Sequence, residues 1–468
     1  MYLSLCLIAK DENTYLKEWL DYHILFGVEH FWIYDNDSTV PLAESISDYI
    51  QKGWVTCNTI HGKGRQLFAY DHCLQTYGHY SRWIGFIDTD EFILPKTGKD
   101  IPEFLRDFEQ YGGLALSSLF FGPGGNQNRP RCGQVAGYLM RTPEELSKNR
   151  SVKAIIQPEK VMFPVSPHSF MFREGYYCVN EQGSRVDTQY FPCSVQKIQL
   201  NHYYTRSAQE WKDKLSRGRG DMGDAYSNQR WIDISKNSTV RDEAAPWAII
   251  HHLKLPPARA RNFAALTDPT STQFLGLMST AAESVLPPPC NAAPVEEITD
   301  RKEMVDLIKD LLDGMDYMGS GRFLEARQLY SRLIRQFPHD LNFYGNFASA
   351  CIEMKDFPAA WEALAQGWRM SPRNWTLLFC MVDYFYAIGD YAQAEKCSYL
   401  IQSYGNLEPL GVAALALSQW KQGKKEQAME TARLLLPQLT PELASSHVLF
   451  QEMVSLMNLE GKVGHDQK

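Results

Sequence analysis

The sequence predicts two domains of different classes: an α/β domain with a parallel, doubly wound sheet, followed by an all-α solenoid of helical repeats. Within residues 3–92, apolar runs and helical patterns alternate four times with short connections, which is typical of a parallel sheet. Between residues 326 and 428, alanine recurs at an interval of 34 residues, which is typical of stacked helical repeats. A chain of 468 residues is also too long to bury a single core.

Four apolar runs are predicted to be the first strands of the sheet, because buried parallel strands are short and continuously apolar. They lie at residues 3–9, 30–34, 54–60 and 83–87. Between them we expect an amphipathic helix that ends near Gly27, a helix from Pro41 to Ile50, and a helix from about Arg65 to Tyr77.

Beyond residue 92 the pattern is less regular. Apolar runs at 114–121 and 198–204 are predicted to be strands, and a helix with a capping box of Ser207 and Glu210 follows the second. The basic residues of 128–150 could contact phosphate, but a solvated surface is the better interpretation except near Lys153.

The fourth apolar run ends in three carboxylates within four residues, Asp88, Asp90 and Glu91. If the chain is extended there, the side chains of Asp88 and Asp90 point the same way, at the carboxyl end of a strand, where open α/β sheets bind ligands. Crowded carboxylates repel one another unless a cation lies between them, and their oxygens suit Mg²⁺ or Mn²⁺. An Asp-x-Asp is also common in solvated turns, but its place after a buried strand favours a metal site.

The first two strands also end in polar residues, at 10–13 (Lys-Asp-Glu-Asn) and 35–38 (Asp-Asn-Asp-Ser). Because the carboxyl ends of parallel strands meet at one edge, these groups can line the same cleft, placed to hydrogen-bond ribose and base. The alternative is that they are ordinary helix caps and turns, which is the better interpretation for Asn13 or Ser38 alone. No Gly-x-Gly-x-x-Gly follows the first strand, so the dinucleotide-binding fingerprint is absent.

Composition argues against several other classes of protein. A net charge of −8 disfavours a nucleic-acid partner. The ten cysteines include no Cys-x-x-Cys pair, so we expect reduced thiols rather than a zinc ribbon or a disulfide framework. The amino-terminal apolar run is short and lacks a basic leader, and no run approaches the roughly 18 apolar residues of a membrane span. We therefore expect no transmembrane segment and a cytoplasmic location, with peripheral association with a membrane left open.

Several specific motifs occur together and in order across roughly residues 3–220. They are Lys10-Asp11-Glu12-Asn13 with Glu18-Trp19-Leu20 and His23; residues 27–36; Gln66 with Asp71-His72-Cys73-Leu74; residues 83–92; Lys153 with Pro158-Glu159-Lys160-Val161; and Asn201-His202-Tyr203 with Ser207, Lys214 and Arg217-Gly218. This set resembles glycosyltransferase family 92 and its bacterial relatives, GT-A enzymes similar to glycosyltransferase family 2. The resemblance implies that residues 1–252 form a Rossmann-like GT-A domain of a nucleotide-diphospho-sugar transferase.

The resemblance also implies a metal site. Asp88 and Asp90 would bind a divalent cation, Mn²⁺ in preference to Mg²⁺, that bridges them to the diphosphate of the donor, and His202 would complete the site. A half-buried strand histidine that is bonded to the backbone is an equal alternative for His202. The physical need is that bond cleavage leaves a nucleoside diphosphate, whose growing negative charge a Lewis acid offsets.

The donor-binding residues that the resemblance implies are mostly at strand ends. They are Lys10, Asp11, Glu12, Asp35, Asp37, Gln66 and Lys153. Asp11 and Asp35 would bind the nucleoside, and a UDP-sugar is the expected donor. Lys153 would contact the diphosphate, although a surface lysine near a strand end is nearly as good an interpretation.

Relatives with measured stereochemistry invert the anomeric centre, which requires a carboxylate to take the proton of the acceptor hydroxyl. Asp90 and Glu91 are the candidate catalytic residues, but Glu91 could instead orient the loop. Glu174, Asp187 and Asp221 lie in the segment where an acceptor-side base could sit. The sequence does not choose among them.

The second half of the chain resembles tetratricopeptide repeats. A proline-rich stretch at 285–294 predicts a linker over 253–300. About four repeats are then predicted over 301–440, followed by a capping helix and tail over 441–468. The alanines at the 34-residue interval, which let paired helices approach closely, are Ala326, Ala360, Ala394 and Ala428. The tryptophans of this region are predicted to be inter-repeat core rather than binding contacts: Trp361, Trp368, Trp375 and Trp420.

These observations predict a metal-dependent, inverting glycosyltransferase that uses a nucleotide sugar and a glycan, lipid-linked or protein acceptor. Its repeats are expected to bind a protein partner or other copies of the chain. The alternative is a repeat scaffold whose first domain binds a nucleotide sugar without turnover, although the intact Asp88 and Asp90 pair argues against it. A sugar-phosphate nucleotidyltransferase would carry a glycine-rich Arg-Lys loop near its amino terminus, which this sequence lacks.

Overall fold

The structure of the protein is a computed structural model. It describes residues 1–98, 100–217, 228–253, 262–285, 287–295, 298–372, 374–403, 409–435 and 448–463. The chain divides into two compact units, Met1–Met304 and Val305–Lys468, which are described separately. Gly218 and Asp221, both named above, lie outside the described residues.

The first unit is built on a mixed sheet. Its strands are β1 (Leu3–Ala9), β2 (His30–Asp35), β3 (Val55–Thr59), β4 (Trp83–Phe86), β5 (Glu91–Pro95), β6 (Gly113–Phe120), β7 (Met140–Arg141), β8 (Val152–Ile156), β9 (Val161–Ser166), β10 (Ser169–Phe172), β11 (Cys178–Val179), β12 (Arg185–Val186), β13 (Ile198–His202) and β14 (Val240–Arg241). The large sheet has the order β12-β11-β6-β8-β4-β1-β2-β3, and β13 joins β6 to β5. Two small pairs, β9 with β10 and β7 with β14, stand beside it.

The parallel strands predicted from the sequence are present. β3, β2, β1 and β4 lie side by side and run parallel, which confirms the alternation of strands and helices. β8 then runs antiparallel between β4 and β6, and β13 runs antiparallel to β5. The sheet is therefore mixed rather than wholly parallel. Apolar runs could not show this, because strand direction is set by distant pairing partners.

The first unit also contains helices. They are α1 (Asn13–Leu25), α2 (Leu42–Ser45), α3 (Ser47–Gln51), α4 (Gln66–Tyr77), α5 (Ile101–Leu105), α6 (Gln134–Gly137), α7 (Ala208–Arg217), α8 (Asn228–Asn237), α9 (Ala244–His252), α10 (Phe263–Leu266) and α11 (Gln273–Val285). Alternate residues of β2 supply two core clusters, Phe31 and Ile33 to one and Trp32 and Tyr34 to the other, as expected of a strand buried on both faces. The single helix predicted from Pro41 to Ile50 is two short helices, α2 and α3.

The predicted linker does not stand apart from the first unit. Helix α11 lies against α1, and its Phe274, Met278 and Ala282 are buried in the main core cluster. The described residues between 262 and 304 all fall within the first unit. The prediction of a separate linker over 253–300 therefore does not hold for them.

The proline-rich stretch runs along the first unit as a strap, the name used here for residues 287–295 and 298–304. The indole of Trp54 donates a hydrogen bond to the Pro287 carbonyl at 2.9 Å. At the far end of the strap, Arg301 forms an ion pair with Asp71 of α4 at 2.5 Å. Composition suggested a free connector because prolines lack core-forming periodicity, yet their carbonyls still accept hydrogen bonds.

The second unit consists of paired helices. They are α12 (Lys302–Gly319), α13 (Phe323–Gln336), α14 (Leu341–Glu353), α15 (Phe357–Met370), α16 (Trp375–Ala387), α17 (Tyr391–Gln402), α18 (Pro409–Lys421), α19 (Lys425–Arg433) and α20 (Val448–Val463). All four alanines of the 34-residue interval are buried, which confirms the helical repeat. Helix α20 packs against α18.

The tryptophans of the repeats do not share one environment. Trp375 is 7% exposed and belongs to the core, as predicted. Trp361 is 41% exposed, so its predicted core position is wrong; its ring stacks on Tyr384 with 5.3 Å between centroids. Trp368 and Trp420 are half-buried. No helix in the described parts of either unit combines the length and the hydropathy needed to cross a bilayer.

Candidate active site

A tight turn follows β4 and carries the three predicted carboxylates. The Glu91 amide donates to the Asp88 carbonyl at 3.0 Å, and the Asp88 amide donates to the Glu91 carboxylate at 2.9 Å. The chain is therefore folded back rather than extended between Asp88 and Asp90. The prediction of an extended chain at this point is therefore wrong, and the two carboxylates contact different lysines.

Asp88 lies at the more open side of this turn, with its side chain 36% exposed. Its carboxylate accepts hydrogen bonds from Lys153 Nζ at 2.8 Å and from Gln66 Nε2 at 3.2 Å. Lys153 lies on β8 and is buried, so it is not a surface lysine. Two of the predicted donor-binding residues, Gln66 and Lys153, thus meet the predicted metal ligand Asp88.

Asp90 lies in a more enclosed position. Lys214 Nζ from α7 contacts one carboxylate oxygen at 2.7 Å, and His202 Nε2 from β13 lies 3.4 Å from the other. Although burial opposes ionisation, the Lys214 ammonium and the His202 ring hold the pKa of Asp90 well below its usual range. Asp90 is therefore an anion throughout the ordinary pH range.

Glu91 is buried between Lys153 and His202. Its carboxylate lies 3.4 Å from Lys153 Nζ and 3.4 Å from His202 Nδ1. Burial raises the pKa of Glu91 to about 7, with Lys153 opposing the shift. Because this carboxylate also accepts the Asp88 amide, its position supports a role in orienting the turn.

His202 is held by two neighbouring strands. It pairs with Glu91 of β5 and with Phe120 of β6, and its ring stacks on the Phe120 ring at 4.8 Å. Each ring nitrogen faces a carboxylate, Asp90 or Glu91. The alternative of a strand histidine bonded to the backbone is therefore not what the structure shows.

Glu12 joins the site from the loop after β1. Its carboxylate contacts Arg206 Nη2 at 2.9 Å and accepts a hydrogen bond from the Thr89 hydroxyl at 3.0 Å. Arg206 also donates to the amide oxygen of Gln134 at 2.9 Å. Sequence reasoning missed Arg206 and Gln134, because neither lies in a motif and both reach the turn from distant parts of the chain.

The remaining predicted donor-binding residues connect the loops after β1 and β2. Asp35 accepts hydrogen bonds from the amides of Ser38 and Leu42 at 3.0 and 2.8 Å, so it holds its own loop. Asp11 accepts the Thr39 amide at 2.7 Å. These contacts match the interpretation as caps and turns.

Asp37 forms a contact of 2.6 Å with His61 at the surface. Lys10 is exposed and follows Ala9, which pairs with Asp35, so these loops do share one edge of the sheet.

Two predicted acceptor-side carboxylates lie far from the turn. Asp187 follows β12, and Glu174 precedes β11, whose Cys178 pairs with Gly113 at the amino end of β6. His202 pairs with Phe120 at the other end of β6. At about 3.3 Å per residue the two ends are roughly 23 Å apart, so Glu174 and Asp187 are poor candidates for a base beside Asp90.

The predicted metal ligands do not form a ready metal centre. Asp90 and His202 adjoin, but Asp88 and Asp90 are each bound by a different lysine. Within the described residues, no group of three or more His, Cys, Asp or Glu side chains is arranged to hold a metal ion. The carboxylates of Asp88 and Asp90 contact lysine ammonium groups, and binding of a divalent cation stays a prediction.

Among the solved structures similar to this chain are two TPR proteins. A thermophilic TPR protein from Thermus thermophilus covers 32% of this chain and 81% of its own, with a TM-score of 0.29 and 17% identity. The first TPR domain of the human RPAP3 protein covers 25% of this chain and 91% of its own, with a TM-score of 0.23 and 17% identity.

Similar curated proteins each match less than half of this chain. A glycosyltransferase family 92 protein from Ricinus communis is 26% identical over 47% of this chain and 41% of its own length. One from Oryza sativa subsp. japonica is 27% identical over 46% of this chain and 35% of its own length. A galactan beta-1,4-galactosyltransferase from Arabidopsis thaliana is 27% identical over 25% of each chain. The match therefore spans about two fifths or less of the length of these relatives.

The model of glycosyltransferase family 92 matches residues 2–239, which include the turn after β4 and every residue that surrounds it. This match covers half of the chain, and the chain belongs to glycosyltransferase family 92.

Proposed function

We propose that the first unit is a glycosyltransferase of GT-A type that transfers a sugar from a nucleotide-sugar donor to a glycan acceptor. The observation that supports this proposal is the turn after β4, where Asp88 and Asp90 meet Lys153, Lys214 and His202 at the carboxyl edge of the sheet in a chain of this family. Open α/β sheets bind ligands at that edge. A UDP-sugar is the donor to test first.

The cations of the site suit the charge that develops in such a reaction. Cleavage of the bond between sugar and diphosphate leaves negative charge on the nucleoside diphosphate, and fixed ammonium groups stabilise it. Lys153 is buried, so its charge acts in a medium of low dielectric constant. Asp88 and Asp90 hold Lys153 and Lys214 in place before the donor arrives.

Divalent-cation dependence and inversion are separate parts of the proposal. The family resemblance implies Mn²⁺ or Mg²⁺, and the pairing of both aspartates with lysines means that a cation would have to displace Lys153 or Lys214. The product of an inverting reaction is identified by the anomeric configuration of the new bond in NMR spectra. A lipid-linked or protein acceptor is the alternative to a glycan.

The test is release of nucleoside diphosphate from a panel of nucleotide sugars by the purified full chain, measured with EDTA and then with added Mn²⁺ or Mg²⁺. Asp88→Ala and Asp90→Ala should each lower release by about 100-fold, since each removes an electrostatic group of the site. Asp48→Ala, which changes an exposed aspartate of α3, is the matched control and should keep wild-type release. Equal release by all three variants, with circular dichroism unchanged, would reject the roles of Asp88 and Asp90.

The second candidate function is a repeat scaffold whose first unit binds a nucleotide sugar without turnover. The observation that favours it is that both aspartates are already paired with lysines. Binding of the donor by calorimetry without any release of nucleoside diphosphate would support this candidate. For the repeats we propose a protein partner or self-association, which sedimentation velocity of the full chain distinguishes.

A further inference from the structure

Arg230 lies close to the proposed site, and within the part of the chain that the structure describes it contacts no carboxylate. It lies near the start of α8 and is half-buried. Its guanidinium carbon lies 4.6 Å from the centre of the Tyr204 ring and 5.6 Å from the centre of the Phe120 ring. Three other cations of the site each contact a carboxylate: Lys153 on Asp88, Lys214 on Asp90, and Arg206 on Glu12. Arg230 differs from these three because it contacts aromatic rings and no carboxylate of the described residues.

The two rings connect Arg230 to the turn. Phe120 stacks on His202, and Tyr204 meets His202 edge to face at 5.3 Å between centroids. Lys214 Nζ, which binds Asp90, lies 4.5 Å from the centre of the same Tyr204 ring. Arg230 and Lys214 therefore contact the same ring. The Arg230 guanidinium carbon lies 4.6 Å and Lys214 Nζ 4.5 Å from its centre, so the two atoms are no farther apart than the sum of these distances.

A half-buried guanidinium on aromatic rings favours an anionic ligand. The ring faces hold the cation in place, but they do not neutralise it, and burial without a counter-charge is unfavourable. The planar fork of an arginine binds two oxygens of one phosphate group, which a lysine cannot do. Aromatic packing restricts the side chain, so less conformational freedom is lost when a phosphate binds.

We propose that Arg230, which contacts Phe120 and the same Tyr204 ring as Lys214, binds the diphosphate of the nucleotide-sugar donor. This inference rests on the proposed function, because it assigns a residue to the donor of that reaction. Arg230 supplies the positive charge that remains available when Lys153 and Lys214 are bound to the aspartates. It would hold the diphosphate before bond cleavage and the released nucleoside diphosphate after it.

The test compares the binding of UDP and of uridine to the full chain by calorimetry, because only UDP carries the diphosphate. Arg230→Ala should weaken UDP binding by about tenfold or more and leave uridine binding unchanged, as expected from the loss of charge-assisted hydrogen bonds. Arg230→Lys should give an intermediate affinity, and the dependence of UDP affinity on salt should become shallower in Arg230→Ala. Arg241→Ala, which changes an exposed arginine paired with Glu243, is the matched control and should bind UDP as the wild type does.

Two kinds of result overturn the inference in distinguishable ways. The first result is that the wild-type chain binds UDP, and that Arg230→Ala either binds it equally well or loses UDP and uridine affinity to the same extent. In that case Arg230 does not bind the diphosphate, and the proposed function stands. If the wild-type chain binds none of UDP, GDP, CDP, ADP or dTDP, the proposed function fails and the inference fails with it. Arg230→Lys keeps the test valid if the alanine variant does not fold.

Discussion

Removing the Arg206 guanidinium should destabilise the first unit strongly. The side chains of Arg206 and Glu12 are 5% and 6% exposed, and their closest atoms lie 2.9 Å apart. At that distance the Coulomb attraction is roughly 6 kcal/mol for an effective dielectric constant near 20, and the desolvation of two buried ions offsets most of it. The pair itself therefore adds little net stability, but breaking it leaves a buried carboxylate without this partner.

For Arg206→Met we expect a loss of about 3–5 kcal/mol in the free energy of unfolding, toward the lower end because Thr89 still donates to Glu12. The double variant Arg206→Met with Glu12→Gln should recover most of that loss, since it leaves no buried charge. Urea unfolding of the full chain, followed by tryptophan fluorescence, measures both values in a double-mutant cycle. Arg241→Met is the control, because its exposed ion pair should contribute under about 1 kcal/mol. A cost for Arg206→Met as small as for the control, or no coupling with Glu12, would refute the reasoning.

Two further predictions concern stability. Burial lowers the pKa of His23 to about 3, and the ring is held neutral because its Nε2 accepts the Ile93 amide. As the pH falls, the unfolded chain, with a histidine pKa near 6.5, takes up this proton before the folded chain does. The free energy of unfolding is therefore highest above about pH 6.5 and falls by roughly 2 kcal/mol between pH 6.5 and 5. His23→Gln should remove that part of the pH dependence in urea unfolding, and an unchanged slope would contradict the prediction. In the repeats, Trp375→Ala should lower the free energy of unfolding by about 3–5 kcal/mol, because the Trp375 ring is in the core. Trp361→Ala should lower it by under about 1.5 kcal/mol, because the Trp361 ring is partly exposed. Equally large losses for both variants would mean that Trp361 is buried in solution.

The elements that could be predicted from the sequence are those whose signal is local. β1 to β4 are short apolar runs, and burial on both faces is what makes them apolar. The antiparallel insertion of β8 between β4 and β6 could not be predicted, because Ile156 pairs with Ile84 across 72 residues of chain. The partners of the two aspartates could not be predicted for the same reason. Lys214 was part of a motif, but no residue near it in the sequence indicates that it contacts Asp90.

The error at the turn after β4 has a different origin. An extended chain was assumed because Asp88 and Asp90 directly follow an apolar run. The Glu91 side chain, which bonds the Asp88 amide, folds the chain back at that point. A glutamate can accept the backbone amide three residues before it, as in a capping box, so the third carboxylate was the signal that could have revealed the fold of the loop.

The packing of α11 and of the strap determines how short a stable fragment of the first unit can be. A fragment ended at residue 252, where the transferase domain was expected to end, would uncover the face of α1 that Phe274 and Met278 seal. It would also remove the carbonyl that Trp54 bonds and the arginine that pairs with Asp71. Such a fragment would expose a contiguous apolar patch and tend to aggregate. Recombinant work on the first unit alone should therefore retain the chain to residue 304.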